Sequence, residues 1–221
     1  MELFGIDIKW LGHDSFKIRG SQTIYTDPYE IKPQEVADII VITHEHFDHC
    51  SKQDIEKIIQ PQTVIIAASL CKSKIDDLKH KVSQIIYFKP GQKIIVNGVT
   101  IEAIPAYNLN KFRSPGVPYH PKENNGLGYI IQIDGVRIYH AGDTDFIPEM
   151  KELKKIDIAL LPVSGTYVMT AAEAAEAAIA IKPRVAIPMH YGSIVGGISD
   201  AEEFRRLLDG KVKVIVLPKE W

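Results

Sequence analysis

The most constraining feature of the chain is Thr43-His44-Glu45-His46-Phe47-Asp48-His49, which follows directly on the apolar run Ile39-Ile40-Val41-Ile42. Four consecutive branched apolar residues read as a strand covered on both faces. The cluster therefore sits at a strand end, where layered α/β proteins place their ligands. If the strand continues, His44 and His46 are two residues apart and share a face. A helical HExxH metal motif is excluded, because the second histidine would fall at position 48, which is Asp48. A structural zinc site favours thiolates, and Cys50 stands alone beside the cluster. A mixed imidazole and carboxylate set suits zinc, manganese or iron, with a coordination position open to water. The competing reading is a solvated turn that happens to be rich in histidine. Three histidines and an aspartate in six residues behind a buried strand favour the metal.

Around this cluster the chain alternates strands and helices. Residues 6–10, 15–18 and 23–26 alternate apolar and polar groups around Gly12 and Gly20, which predicts a three-stranded meander. After Pro33 the solid strand Ile39–Ile42 begins. Ser51 caps a short helix reaching residue 59, and a strand over 63–67, a helix over 70–79 and strands over 85–88 and 93–96 follow. Asn97-Gly98 and Asp134-Gly135 are hairpin turns, the second joining strands over 129–133 and 136–140. A strand over 157–163 leads to a helix capped by Thr170 with Glu173 at its third position, ending before Pro183. A strand over 185–189, a helix opened by a Ser199/Glu202 capping box and a closing strand over 212–217 complete the pattern. Residues 105–128 carry four prolines and no periodicity, a loop of functional length. Periodicity alone supports a layered α/β domain, and the order of its elements suggests two mixed sheets with helices outside.

Composition narrows the function classes. The 221 residues carry 26 Lys+Arg against 28 Asp+Glu, a net charge of −2, so a broad phosphate-binding surface is disfavoured. No apolar run approaches a membrane span, and the first residues do not open a signal peptide. Two cysteines are too few for a disulfide framework, so a cytoplasmic location is expected.

His44-Glu45-His46-Phe47-Asp48-His49 resembles the HxHxDH signature of the metallo-β-lactamase-fold hydrolases. Three further blocks extend the resemblance over nearly the whole chain. Trp10-Leu11-Gly12-His13-Asp14-Ser15-Phe16 resembles the opening of the subgroup that includes ascorbate-6-phosphate lactonase. Tyr139-His140-Ala141-Gly142-Asp143-Thr144 and Pro188-Met189-His190-Tyr191-Gly192 resemble the strand ends carrying the family's bridging aspartate and last histidine. The resemblance implies a four-layer αββα sandwich over residues 1–221 as one domain. It also implies two divalent ions, zinc first with manganese or iron(II) as alternatives, that share a hydroxide nucleophile. His44 and His46 would bind the first ion, Asp48, His49 and His190 the second, and Asp143 would bridge. The family's third histidine for the first ion is replaced by Asn108, and His120 in the long loop is the nearest substitute.

Catalytic expectations fall on Asp48, as the group orienting the nucleophile, and on His13 and His140 as proton donors to the leaving group. His140 shares a face with Ile138, so support of Asp143 from a buried position is its competing role. Asp27-Pro28 reads as a turn, His80 as a surface residue and Cys50 as packing. In the loop, Lys111, Arg113 and Lys122 outnumber Glu123, and Asn108, Lys111 and Arg113 are expected to meet an anionic group on a small substrate. The implied reaction is hydrolysis of an ester or lactone. A nucleotide or nucleic-acid phosphodiesterase is the alternative, disfavoured for long substrates by the lack of a basic arm. A non-catalytic metal-binding regulator is the third class, and assembly into a homo-oligomer is left open.

Overall fold

The computed structural model describes residues 1–32 and 35–220, so Pro33, the boundary expected before the buried strand, lies outside the described residues. The first half builds one sheet from β1 (Glu2–Leu3), β2 (Ile6–Gly12), β3 (Ser15–Arg19), β4 (Thr23–Thr26), β5 (Ile39–Ile42), β6 (Val64–Ala68) and β7 (Gln84–Phe88). These lie side by side in chain order, antiparallel from β1 to β4 and parallel from β4 to β7. Between them sit α1 (Lys52–Ile58) and the four-residue α2 (Lys72–Ile75). The second sheet takes β8 (Lys93–Val96), β9 (Val99–Pro105), β12 (Leu127–Ile133), β13 (Val136–His140), β14 (Ile158–Pro162) and β15 (Val185–Met189). A separate ribbon pairs β10 (Phe112–Ser114) with β11 (Val117–Pro118). The last helices are α3 (Ala171–Ile181) and α4 (Ile198–Leu207), with α3 against β14 and α4 against β15. This is the expected α/β sandwich of two mixed sheets flanked by helices.

The apolar patterns explain the layers. Every residue of β5, β6, β14 and β15 is buried, as strands covered on both faces must be. Thr170 caps α3, its Oγ1 accepting from the Glu173 N–H while the Glu173 carboxylate accepts from the Thr170 N–H. Both expected hairpin turns have left-handed residues at the two central positions, Asn97-Gly98 and Asp134-Gly135.

Four local expectations are corrected. The helix over 70–79 breaks into two 3-10 turns around α2, where Asp76 draws the Lys72 ammonium and the Tyr87 hydroxyl. The last helix starts two residues earlier than a Ser199 cap allows, with Gly197 as its cap, because Asp200 reaches back to the Gly197 N–H at 2.8 Å. The closing strand reduces to single bridges from Val214 to Ala186 and from Lys219 to Trp10. The loop 105–128 is not structureless: it holds the β10–β11 ribbon and a 3-10 turn over Lys122–Asn124. Among the described residues no helix is long and apolar enough to cross a membrane.

The two sheets are tied together at one edge. The Leu127 N–H donates to the Thr43 carbonyl at 2.9 Å, and the Tyr129 hydroxyl donates to the Ile42 carbonyl at 3.0 Å. Gly142 faces this seam at φ +64°, and a Cβ there would lie 2.6 Å from the Leu127 carbonyl oxygen. Gly142→Ala is therefore expected to cost about 2–4 kcal/mol, combining left-handed strain with a backbone clash. Denaturant unfolding in excess chelator, which removes any contribution from metal, measures it.

Candidate metal centre

Five strand ends supply the centre. Asp27 follows β4 and Thr43-His44 follow β5, while Asp143 lies just past β13, Ser164 past β14 and His190 directly after β15. β4 and β5 are parallel to each other, and so are β13, β14 and β15, so their carboxyl ends gather on one edge of the sandwich. The β2–β3 turn adds His13 and Asp14, and the loop after β9 adds His120.

His44, His46, His120 and Asp143 form one group whose ligand atoms lie within 4.8 Å of one another. His44 Nε2 is 3.0 Å and His120 Nε2 3.3 Å from His46 Nδ1. Asp143 Oδ2 lies 3.3 Å from His120 Nε2 and 3.3 Å from His190 Nε2, and Oδ1 lies 3.4 Å from His49 Nε2. Asp143 thus stands between the first three histidines and the pair His49 and His190. Asp48 Oδ2 is 3.7 Å from His49 Nε2 and 3.0 Å from His13 Nε2.

The outer nitrogen of His44, His49, His120 and His190 is held from behind, and this decides which nitrogen faces inward. Asp27, fully buried, accepts from the Thr43 N–H at 2.8 Å and the Thr43 hydroxyl at 2.6 Å. The single hydroxyl proton of Thr43 is spent on that carboxylate, so its oxygen accepts from His44 Nδ1–H at 3.0 Å. Asp27 Oδ2 likewise takes His49 Nδ1–H at 2.8 Å. Asn108 Oδ1 accepts from the His120 N–H at 2.8 Å and from Nδ1–H at 2.9 Å. Ser164 Oγ meets His190 Nδ1 at 2.9 Å. Each contact leaves Nε2 as the nitrogen that points into the cluster.

The donors fit a divalent cation. His49 Nε2, His190 Nε2 and Asp143 Oδ1 are buried without a hydrogen-bond partner, as ligand atoms without their ion would be. So are His13 Nδ1 and both carboxylate oxygens of Asp14, which lies 3.8 Å from His49 Nδ1. Burial pushes the Asp14 carboxyl well above the usual range. Burial would do the same to Asp143, but the His190 and His49 imidazoles hold it well below. Burial pulls His44 well down, aided by His49, and pulls His120 down to about 4. At His49 and His190 burial also acts downward but is outweighed, chiefly by Asp143, which raises His49 well above the ordinary value and His190 to about 9.

The structure brings His120, and not Asn108, into the cluster; Asn108 stands behind His120 and spends its amide on Tyr167 O and Asp145. His140 lies fully buried behind the centre, its Nε2 donating to the Asp14 carbonyl at 2.9 Å and its Nδ1 accepting from the Gly142 N–H at 3.2 Å. Lys111 gives its ammonium to Glu173 at 2.7 and 3.0 Å. Lys122 pairs with Glu149 at 2.9 Å. Arg113 is exposed, with its guanidinium 5.8 Å from the Tyr119 ring centroid. His13 sits against Asp48, and its carbonyl accepts from Trp10 Nε1 at 2.8 Å and from the His190 N–H at 3.1 Å. His80 is exposed and Cys50 buried.

Sequence reasoning missed Asp27, Thr43 and Ser164. The turn reading of Asp27 accounts for its left-handed φ of 37° but not for its carboxylate, which secures two histidines. The available signal was position, since all three sit at a strand's carboxyl end.

The sandwich and its edge cluster define a metal-dependent hydrolase of the metallo-β-lactamase fold. The sequence profile of the Beta-lactamase superfamily domain matches residues 7–190, and the chain belongs to that superfamily. It is similar to UPF0173 metal-dependent hydrolases of Thermococcus kodakarensis, at 37% identity, and Thermococcus onnurineus, at 34%, each covering 96% of both chains. Among solved structures, a chain from Parabacteroides distasonis is 35% identical with a TM-score of 0.83, covering 96% of this chain and 92% of that one. Igni18, a metallo hydrolase from Ignicoccus hospitalis, is 25% identical with a TM-score of 0.75, covering 98% and 96%.

Two outcomes follow for metal binding. Asp27→Asn, which keeps size but removes the charge behind His49 and Thr43, is expected to weaken metal affinity about 10- to 100-fold in chelator competition. In the metal-free protein at pH 7 the His49 and His190 rings hold protons that a cation must displace. Binding is therefore expected to release about one to two protons at pH 7 and to strengthen as pH rises toward about 9. Calorimetry in buffers of different ionisation enthalpy reads both.

Proposed function

We propose that the chain hydrolyses an ester or lactone bond of a small metabolite at a dinuclear metal centre. His44, His46 and His120 hold one ion, Asp48, His49 and His190 the other, and Asp143 touches both. The observation that carries this reading is the position of Asp143, whose Oδ2 lies 3.3 Å from both His120 and His190, one from each histidine set, while Oδ1 lies 3.4 Å from His49. Bound divalent cations, zinc before manganese or iron(II), supply Lewis acidity and a water of lowered pKa.

The chain's own groups then position and move protons. Burial pushes Asp48 up, but the His13 hydrogen bond and His49 together leave it below the ordinary range, so it is an acceptor at neutral pH. His13, lowered mainly by burial, is neutral and places its one exchangeable proton on Nε2, toward Asp48. Asp48 orients the attacking water, accepts the proton that water gives up as it adds to the carbonyl and passes it to the leaving group, while His13 Nε2–H holds the carboxylate in place. The Trp10 indole N–H and the His190 backbone N–H both donate to the His13 carbonyl and fix the His13 turn, so its Nε2–H stays aimed at Asp48.

The test sets a panel of lactones and carboxylic esters against a chromogenic phosphodiester, on zinc- or manganese-loaded protein. Lactone or ester turnover is expected to fall about 10²- to 10⁴-fold in Asp48→Ala, with a smaller loss in His13→Ala. Phosphodiester cleavage that vanishes in Asp48→Ala, without lactone or ester turnover, overturns the reading.

A further inference from the structure

The centre opens into a cavity of about 240 Å³, lined by His46, Asp48, His120 and Asp143 on its inner wall and by Phe47, Tyr119, Tyr167 and Ile194 outside them. The cavity lining contains no lysine or arginine among the described residues. Of the loop cations, Lys111 is engaged with Glu173 and Lys122 with Glu149, while Arg113 lies outside the lining, its guanidinium 5.8 Å from the Tyr119 ring centroid.

The outer wall is apolar, and its aromatic members are braced. Phe47 is 62% exposed, yet its ring packs edge-on to Tyr29 at 5.8 Å. Tyr119 and Tyr167 meet edge-on at 4.8 Å. Tyr167 is tethered further by its carbonyl, which accepts from Asn108 Nδ2 at 2.9 Å, and Asn108 also holds His120. Ile194, 39% exposed, closes the rim from the loop after β15. A large exposed aromatic one residue from a candidate ligand on each side, His46 and Asp48, costs hydration and packs no core. Contact with something that enters the cavity accounts for it.

We infer that Phe47, Tyr119, Tyr167 and Ile194 form a specificity wall that selects substrates with an apolar or aromatic group next to the scissile carbonyl. The inference rests on the hydrolytic reading above and narrows its substrate class. Small polyhydroxylated or phosphorylated metabolites find only the phenols of Tyr119 and Tyr167 on this wall, and no cation in the cavity lining. A flat ring or short alkyl group fits between Phe47 and the Tyr119–Tyr167 pair while the carbonyl meets the centre.

Binding of product-like carboxylates tests the wall without turnover. Calorimetry on zinc-loaded protein is expected to show benzoate binding about tenfold or more tighter than acetate. Linear carboxylates are expected to gain about two- to fourfold per methylene from acetate to hexanoate. Phe47→Ala and Ile194→Ser, both at exposed positions that pack no core, should flatten these differences. Equal affinities across the series, or a preference for glycolate or phosphoglycolate, overturn the inference. Turnover of γ-lactones with lengthening alkyl substituents runs in parallel. Turnover with a flat series also overturns the wall. Tight benzoate binding with no ester or lactone turnover sustains the wall and removes the ester and lactone reading instead.

Discussion

The buried charge of Asp143 is the constraint on which the rest depends. A carboxylate taken from water without compensation is among the most expensive groups a fold can hold. Here it lies within 3.4 Å of His49, His120 and His190, and both sheets are arranged to bring those rings to it. Compensation comes either from protons on His49 and His190 or from cations held by the same nitrogens. The centre is a site where two kinds of positive charge compete for the same lone pairs, and the rings around it differ in how readily they take a proton. His44 and His120, pulled down by burial, offer free lone pairs at neutral pH.

Holding this arrangement requires unusual backbone. His13, Asp27 and His190 all adopt positive φ, at 50°, 37° and 60°, and Gly142 does so at 64°. Non-glycine residues in this region cost about 1–3 kcal/mol each and persist where surrounding contacts over-determine them. The contacts are visible: Thr43 on Asp27, and the His13 carbonyl on the His190 N–H. Strain at each strand end is thus offset by a hydrogen bond to the next one.

Much of this was legible in the chain. The alternation before residue 27, the solid strand Ile39–Ile42 and the Asn-Gly and Asp-Gly turns carry local periods that tertiary structure had no reason to override. The cluster from His44 to His49 was legible because its ligand atoms come from one strand end. His120 was harder to read, since only the fold of residues 105–128 turns it inward. Asp27, Thr43 and Ser164 act through contacts between elements, and only their place at a strand's carboxyl end sets them apart from ordinary turn residues. The ion pair of Lys111 was hidden for the same reason, because Glu173, its partner, lies 62 residues away on α3. The shifted start of α4 turned on Asp200 competing with Ser199 for the role of cap, a contest that composition does not decide.

The indole of Trp10 has a consequence of a different kind. Its Nε1 is bonded to the His13 carbonyl and its ring is stacked at 4.7 Å on Tyr191, the neighbour of His190. The fluorophore is therefore wired to the two turns that present His13 and His190. Loading of the centre, or displacement of either turn, alters the emission of a chromophore that nature placed there. The molecule carries its own optical reporter, readable without a label.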